Sequence, residues 1–448
     1  MKKIAVIGVI LILLNGIFAF AGGGQQKKSG GKVQITYSFW GTPDEAAAVQ
    51  NVADKFNGEQ DAIEVKVMNI PHDTYIEKLN TMATAGQLPD AGIMSEAGVL
   101  QFATNGYLAD ISGMYGAGES KPLESIAFKG PDGKTVAYSA ANEVLVLYYN
   151  KDMFDRAGIA YPPASADNAW TWDEFVAAAK KLTLDVNGKT PNDADFDPNR
   201  IRQYGAMVEN LTWQLEVWAL SNGGGFYNAN GTQVTIDQPA AVEAIQKVAD
   251  LHLKDHVAPL SAGLTDDGIQ RSIIAGTVAM ATGGTWNVGT CLAQARDSEG
   301  LKYGIAVLPY MKEKITICTG GPNVVFSQSK YQKEAMEWLK WYSKEENNWG
   351  LIETGIWMPI LEKWYTDETF TRRWVGNPNF PPYNDYKAAV VDYAMRYTKS
   401  TSWYYVNNTV DFNNLLASAL GEVWTGNKTV REVINANLSA LQDAYRGN

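Results

Sequence analysis

The stretch VQITYSFWGTPDEAAAVQNVADKFNGEQDAIEVKVMNIPHDTYIEKLNTMATA, residues 33–85, decides the fold. Val33 to Phe39 reads as a β-strand, Asp44 to Asn57 as a helix, Ile63 to Ile70 as a second strand and Thr74 to Ala85 as a second helix. That order builds a parallel βαβ sheet, and such sheets bind ligands beyond the carboxyl ends of their strands. Trp40-Gly41-Thr42 stands at one of those ends.

Upstream of this stretch, Lys2 and Lys3 precede an apolar run from Ile4 to Leu14, and Ala19 and Ala21 flank Phe20. These are the charged, apolar and small-residue regions of a secretory leader, so residues 1–21 are expected to be removed by cleavage after Ala21. Asn15 and Gly16 interrupt the apolar run, which falls short of the about 20 residues that span hydrocarbon. Residues 22–32 form a Gly/Gln/Lys/Ser spacer without a P-loop, and no Cys lies near the cleavage point to carry a lipid. Export places the chain in a periplasm or the extracellular space. There Cys291 and Cys318 could pair, or remain two buried thiols; sequence does not give their separation.

Downstream, Asn142 to Tyr149 reads as a strand, and Thr171 and Glu174 have the spacing of a capping box at the start of a helix reaching about Leu182. Leu184 to Gln203 is rich in Asp, Asn, Pro and Gly and reads as an exposed loop. Its acids do not follow the calcium-loop pattern of a Gly at position six and a Glu at twelve. Asn228 to Gly231 suggests a hairpin turn and Pro239 to Leu253 an amphipathic helix. Tyr303 to Pro309 and Asn323 to Ser327 return to strand character, Glu334 to Trp349 is helical, and the tail from Tyr383 to Tyr445 is mostly helix. We read two α/β lobes built from distant pieces and joined by a hinge: residues 33–141 with 286–343, and residues 142–285 with 344–448.

Composition narrows the function. The 448 residues carry 38 Lys+Arg against 49 Asp+Glu, a net charge of −11, which argues against a surface that tracks nucleic acid. Three His and two Cys exclude a cysteine-rich zinc framework. His252 and His256 are four apart on an apparent helix but lack the Glu of an H-E-x-x-H motif, so neither a metal nor another cofactor is expected. Against this stand 14 Trp and 22 Tyr, whose rings offer flat apolar faces with polar edges.

Four blocks carry a resemblance: YIEKLNTMATAGQLPDAGIM (Tyr75 to Met94), LVLYYNKDMFDRAGI (Leu145 to Ile159), WTWDEFVAAAKKLT (Trp170 to Thr183) and GTVAMATGGTW (Gly276 to Trp286). In order and spacing they resemble extracellular solute-binding protein family 1, the carbohydrate-binding receptors of bacterial ABC importers. The resemblance implies a two-lobed periplasmic binding fold and a sugar or oligosaccharide held in the cleft. It further implies delivery to a membrane permease by a monomer that catalyses nothing. The missing lipid-bearing Cys departs from the common pattern.

A sugar shows hydroxyls at its rim and C–H groups on its faces, so its pocket combines rings with planar hydrogen-bonding groups. Trp40, Thr42 and Asp44 follow the first strand, although Asp44 could simply cap the next helix. Glu96 follows the Ile93-Met94 strand end, and Asn142 and Glu143 open a strand where the lobes meet. Trp286 follows Gly283-Gly284-Thr285, and the resemblance places it as a stacking ring. Gly321 and Asn323 lie in an amide-rich turn, Trp357 in a non-helical segment, and Trp403 and Tyr404 in an aromatic run after a helix. Trp213 is preferred over Trp218 because residues five apart on a helix diverge. Trp172, Phe175, Trp338, Leu339, Trp341 and Tyr342 are read as core. Two other classes share this composition: a secreted glycosidase, needing two carboxyls about 5 to 9.5 Å apart, and a lectin that does not close.

Overall fold

The computed structural model describes residues 31–40, 43–71, 74–260 and 270–446. The expected leader at 1–21, most of the spacer 22–32, Thr42 and His72 lie outside the described residues. Six strands form a first sheet: β1 (Val33–Phe39), β2 (Ile63–Asn69), β3 (Ala91–Ile93), β4 (Ala127–Lys129), β5 (Thr135–Ser139) and, from far along the chain, β12 (Pro322–Val325). Their spatial order is β2-β1-β3-β12-β5-β4. Helices α1 (Pro43–Glu59), α2 (Tyr75–Thr84) and α3 (Glu96–Thr104) connect or follow its parallel strands. β1 and β2 run parallel from Val33↔Ile63 to Phe39↔Asn69, and Ile35, Tyr37 and Phe39 are buried. β3 approaches β1 because Gly92 has no side chain; a Cβ there would lie 2.0 Å from Ser38 Oγ. The Pro89-Asp90 element also has a structural task. Asp90 accepts from the Thr36 amide at 2.8 Å and from the Ser329 hydroxyl at 2.5 Å, tying β1 to the segment after β12.

The second sheet contains seven strands: β6 (Glu143–Asn150), β7 (Leu184–Asp185), β8 (Ile201–Met207), β9 (Val278–Gly284), β10 (Tyr303–Ala306), β11 (Thr316–Thr319) and β13 (Thr398–Lys399). Their order is β13-β11-β6-β9-β8-β7, with β10 also paired to β6. Every residue of β6 is buried, as expected of a central strand covered on both faces. Around the sheet pack α4 (Lys151–Ala157), α5 (Trp172–Leu182), α6 (Thr212–Ser221) and α7 (Pro239–Leu253). α5 carries the expected capping box: the Thr171 hydroxyl accepts from the Glu174 amide at 3.2 Å, and the Glu174 carboxylate accepts from the Thr171 amide at 2.8 Å. Such a cap contributes about 1 kcal/mol.

Some readings of the sequence are corrected. Residues 286–319, expected in the first lobe, instead supply β10 and β11 to the second sheet, because their amides pair with β6. Conversely, residues 344–361 pack on the first lobe. The Leu361 amide donates to Glu345, the Leu123 amide donates to the Ile360 carbonyl, and Trp357 lies against Phe39. The stretch read as a loop to Gln203 holds β7 and the start of β8. Asp185 within it is buried, its carboxylate accepting from the amides of Asn187, Lys189 and Asp197. α7 ends at Leu253, so His256, with φ at 54°, is not on the helix of His252. Cys291 and Cys318 are both buried thiols and no disulfide joins them.

Among the described residues, three segments connect the sheets. Ser139 to Glu143 runs from β5 into β6, and Thr319 to Pro322 runs antiparallel beside it from β11 into β12. The Ala140 amide donates to the Gly321 carbonyl at 3.0 Å and the Ala141 amide to the Gly320 carbonyl at 3.2 Å. The third segment, around Gly355 to Leu361, bonds successively to Gly289, Asn142 and Leu123.

Candidate ligand-binding cleft

Strand ends from both sheets bring side chains toward these crossings. Trp40 follows β1, half-buried, its ring centroid 4.8 Å from that of Tyr75 at 78°. Tyr75 is fixed in turn, its phenol oxygen 2.7 Å from both Ser38 Oγ and the Ile93 carbonyl. Gly321 lies under the Trp40 indole: a Cβ on it would come within 3.2 Å of the ring. In the second sheet, β9 ends at Gly284 and Trp286 folds back over it, so that a Cβ on Gly284 would sit 1.8 Å from the indole. The Gly-Gly-Thr-Trp sequence thus makes room for the ring. Thr285 is bonded to Val144 through both its amide and its hydroxyl, which sets the half-buried Trp286 beside the start of β6.

Around the crossing the polar candidates are committed to protein partners. Glu96, the first residue of α3, accepts at Oε1 from the Thr319 hydroxyl, from the Gly320 amide at 2.9 Å and from the Gly321 amide at 3.1 Å. Asn142 is buried and its Oδ1 accepts from the Cys318 thiol at 2.6 Å, while its amide faces the Met358 carbonyl. Glu143 is buried opposite Thr319 in the β6–β11 register. Burial, with Glu96 and Glu143 close by, pushes the Cys318 thiol well above its ordinary value, so it stays protonated and can donate.

A late segment straps the two lobes together. Tyr404 stacks on Phe128 of β4, centroids 4.3 Å apart at 18°, and the Thr409 hydroxyl donates to the Ala97 carbonyl of α3. On the other side, Trp403 packs against Trp213 of α6 at 5.8 Å. Between them, the buried Glu216 of α6 accepts from the Ser402 amide at 3.0 Å and the Ser402 hydroxyl at 2.8 Å. Desolvation raises the Glu216 carboxyl to about 7 in spite of those two bonds. Trp213 and Tyr404 are half-buried; Trp403 is buried, and its indole N–H has no hydrogen-bond partner among the described residues.

The thirteen expected site residues therefore divide. Trp40, Trp286 and Tyr404 are partly exposed rings near the crossings, with Gly321 among them, and Trp213 is a partly exposed ring against Trp403. Asn323 is turned into the first sheet's core, where it accepts from the Tyr37 phenol at 2.6 Å. Trp357 is buried against Phe39 and Tyr342. Its segment is non-helical as expected, but its ring fills the first lobe. Asn142 and Glu96 serve the crossings themselves. Asp44 falls in the first turn of α1; its side chain and all of Thr42 lie outside the described residues.

One acid was not anticipated. Glu209, buried just past the end of β8, accepts from the Gln214 side-chain amide, and its own amide faces the Thr282 hydroxyl. Only the start of the strand that places it lay in the stretch read as a loop; the apolar run Gly205-Ala206-Met207-Val208 was the available signal.

Comparison with known proteins bears on the family and the fold. A family profile described as bacterial extracellular solute-binding protein matches residues 51–382. The maltodextrin-binding protein MdxE of Bacillus subtilis is 26% identical over 367 residues, covering 79% of this chain and 79% of its own. The sn-glycerol-3-phosphate-binding periplasmic protein UgpB of Agrobacterium fabrum is 28% identical over 361 residues, covering 74% of each. The structure of the ABC substrate-binding protein Lmo0181 from Listeria monocytogenes, in complex with cycloalternan, superposes with a TM-score of 0.75 at 24% identity. It covers 93% of this chain and 99% of that one.

Proposed function

The chain belongs to the bacterial extracellular solute-binding proteins, and from that premise we propose that it captures a sugar or oligosaccharide between its lobes and hands it to an ABC transporter permease. The observation that carries this reading is the pair of half-buried indoles, Trp40 past β1 of one sheet and Trp286 past β9 of the other, each standing next to a crossing. Rings on opposite walls are both satisfied by one guest only when the walls approach, so binding favours the closed state. The lobes we infer are residues 33–139 with 322–361, and residues 143–319 with 363–446.

The protein acts after export, with its leader removed after Ala21, as a monomer in the periplasm or outside the cell. It changes nothing in its ligand and engages no nucleic acid. Micromolar affinity corresponds to about −8 kcal/mol, and a stacked ring contributes about 0.5 to 1.5 kcal/mol beyond the area it buries. Two rings alone do not reach that figure, so hydroxyl hydrogen bonds and apolar burial supply the rest.

Titration calorimetry with maltotriose, other neutral saccharides and glycerol 3-phosphate tests the proposal. Trp286→Ala should weaken binding of whichever sugar the wild type takes by about thirtyfold, equivalent to about 2 kcal/mol for a buried aromatic anchor, while unfolding stays cooperative. Binding of no saccharide in the panel, or release of cleaved oligosaccharide on prolonged incubation, overturns it.

A further inference from the structure

The Glu96 carboxylate reaches across the junction between the two sheets. Glu96 opens α3 at the end of β3, and the Met94 amide beside it donates to the Pro322 carbonyl at 2.7 Å, so its backbone is fixed to the first sheet. Its Oε1 partners begin on the other side. Thr319 is the last residue of β11, paired with Glu143 of β6 in the second sheet. Gly320 and Gly321 then carry the chain over, with φ of 153° and 60°.

These two glycines are required by both conformation and space. A Cβ on Gly320 would stand 2.1 Å from the Ala141 carbonyl oxygen, and one on Gly321 would stand 2.5 Å from Ile93 Cδ1. Two successive residues free of a side chain are where a change of lobe angle can be absorbed by φ and ψ. A rotation there moves Thr319 with the second sheet and leaves Glu96 with the first. The hydroxyl-to-carboxylate bond therefore exists at one lobe angle and is lost at others.

We infer that Glu96 is a positioning residue: its carboxylate latches the Thr319-Gly320-Gly321 crossing and sets the resting angle between the lobes, and it does not contact the ligand. The Trp40 indole over Gly321 places a ring of the binding wall directly on the latched segment. A guest pressed on that ring acts on the same two glycines. This consequence for affinity rests on the receptor reading; the lobe angle itself does not.

The test measures the angle without ligand. Spin labels at Asp61→Cys and Lys181→Cys, both exposed and one on each lobe, report the inter-lobe distance distribution in the full-length protein. Thr319→Val removes only the hydroxyl and keeps a β-branched strand residue; Glu96→Gln keeps shape and weakens acceptance. Both should move the ratio between the resting distance and a second distance by about tenfold, as expected for loss of a hydrogen bond to a charged group, with thermal unfolding still cooperative. A distribution identical to wild type in both variants overturns the latch. Failure of every saccharide to bind while the distances do shift refutes the receptor reading alone.

Discussion

Replacing Glu216 by Gln should change the pH dependence of stability with a sign that follows from where this carboxyl sits. It is buried in α6 and bonded to the backbone and hydroxyl of Ser402, with Tyr227 and Tyr405 facing it. Desolvation raises it from 4.5 to about 7. The folded state therefore binds a proton more readily than the unfolded one. The resulting stabilisation is fully present below about pH 4.5 and is lost as pH rises toward 7, at up to about 1.4 kcal/mol per unit. Across the whole interval the loss is about 3 kcal/mol. Gln occupies the same volume, accepts from the Ser402 amide through its oxygen and can donate to the Ser402 hydroxyl, but does not titrate. Urea midpoints followed by tryptophan fluorescence should coincide for wild type and Glu216→Gln near pH 4.5. They should diverge with increasing pH, the variant being the more stable at pH 7. A stability difference independent of pH across this range would refute the argument that Glu216 is held as a carboxylic acid by burial.

Two other substitutions separate structural from binding roles. Gly320→Ala places a Cβ 2.1 Å from the Ala141 carbonyl at a φ of 153°. It should cost about 2 to 4 kcal/mol, from strain and a clash that backbone on both sides cannot relieve, seen as a lowered denaturation midpoint. Trp357→Phe, in contrast with Trp286→Ala, should lower the melting temperature through a cavity against Phe39 and Tyr342 yet leave saccharide affinity within a factor of two.

Local signals in the sequence located many of the elements. The bounds of β1, α5 and α7 coincide with those read from Val33–Phe39, Trp172–Leu182 and Pro239–Leu253. Each is marked by features within a few residues: a β-rich run, a Thr171/Glu174 box, a Pro at the first helical turn. The return of the chain to the first sheet was placed too early because nothing local distinguishes β10 and β11 from strands of the first lobe. Their assignment is made by pairing with β6, more than 150 residues earlier. Gly320 shows the same limit. Its need for glycine comes from the Ala141 carbonyl across the crossing, a neighbour absent from any window of sequence.

The candidate site divides along a physical line that composition alone does not reveal. A carboxylate or amide at a junction between lobes is surrounded by backbone amides that have left one sheet and not yet joined the other, and these demand partners when buried. Glu96 meets a demand of that kind from the Gly320 and Gly321 amides, while Asn142 and Asn323 are taken up by the Cys318 thiol and the Tyr37 phenol. Indoles have one donor and no comparable obligation, so a ring can stand at a strand end supported from beneath and open above. Trp286 on Gly284 and Trp40 beside Gly321 are held in this way. The glycines that precede or underlie these rings are thus a better guide to a sugar platform in such a chain than the acids nearby. Polar residues next to a crossing, for their part, point first to the hinge.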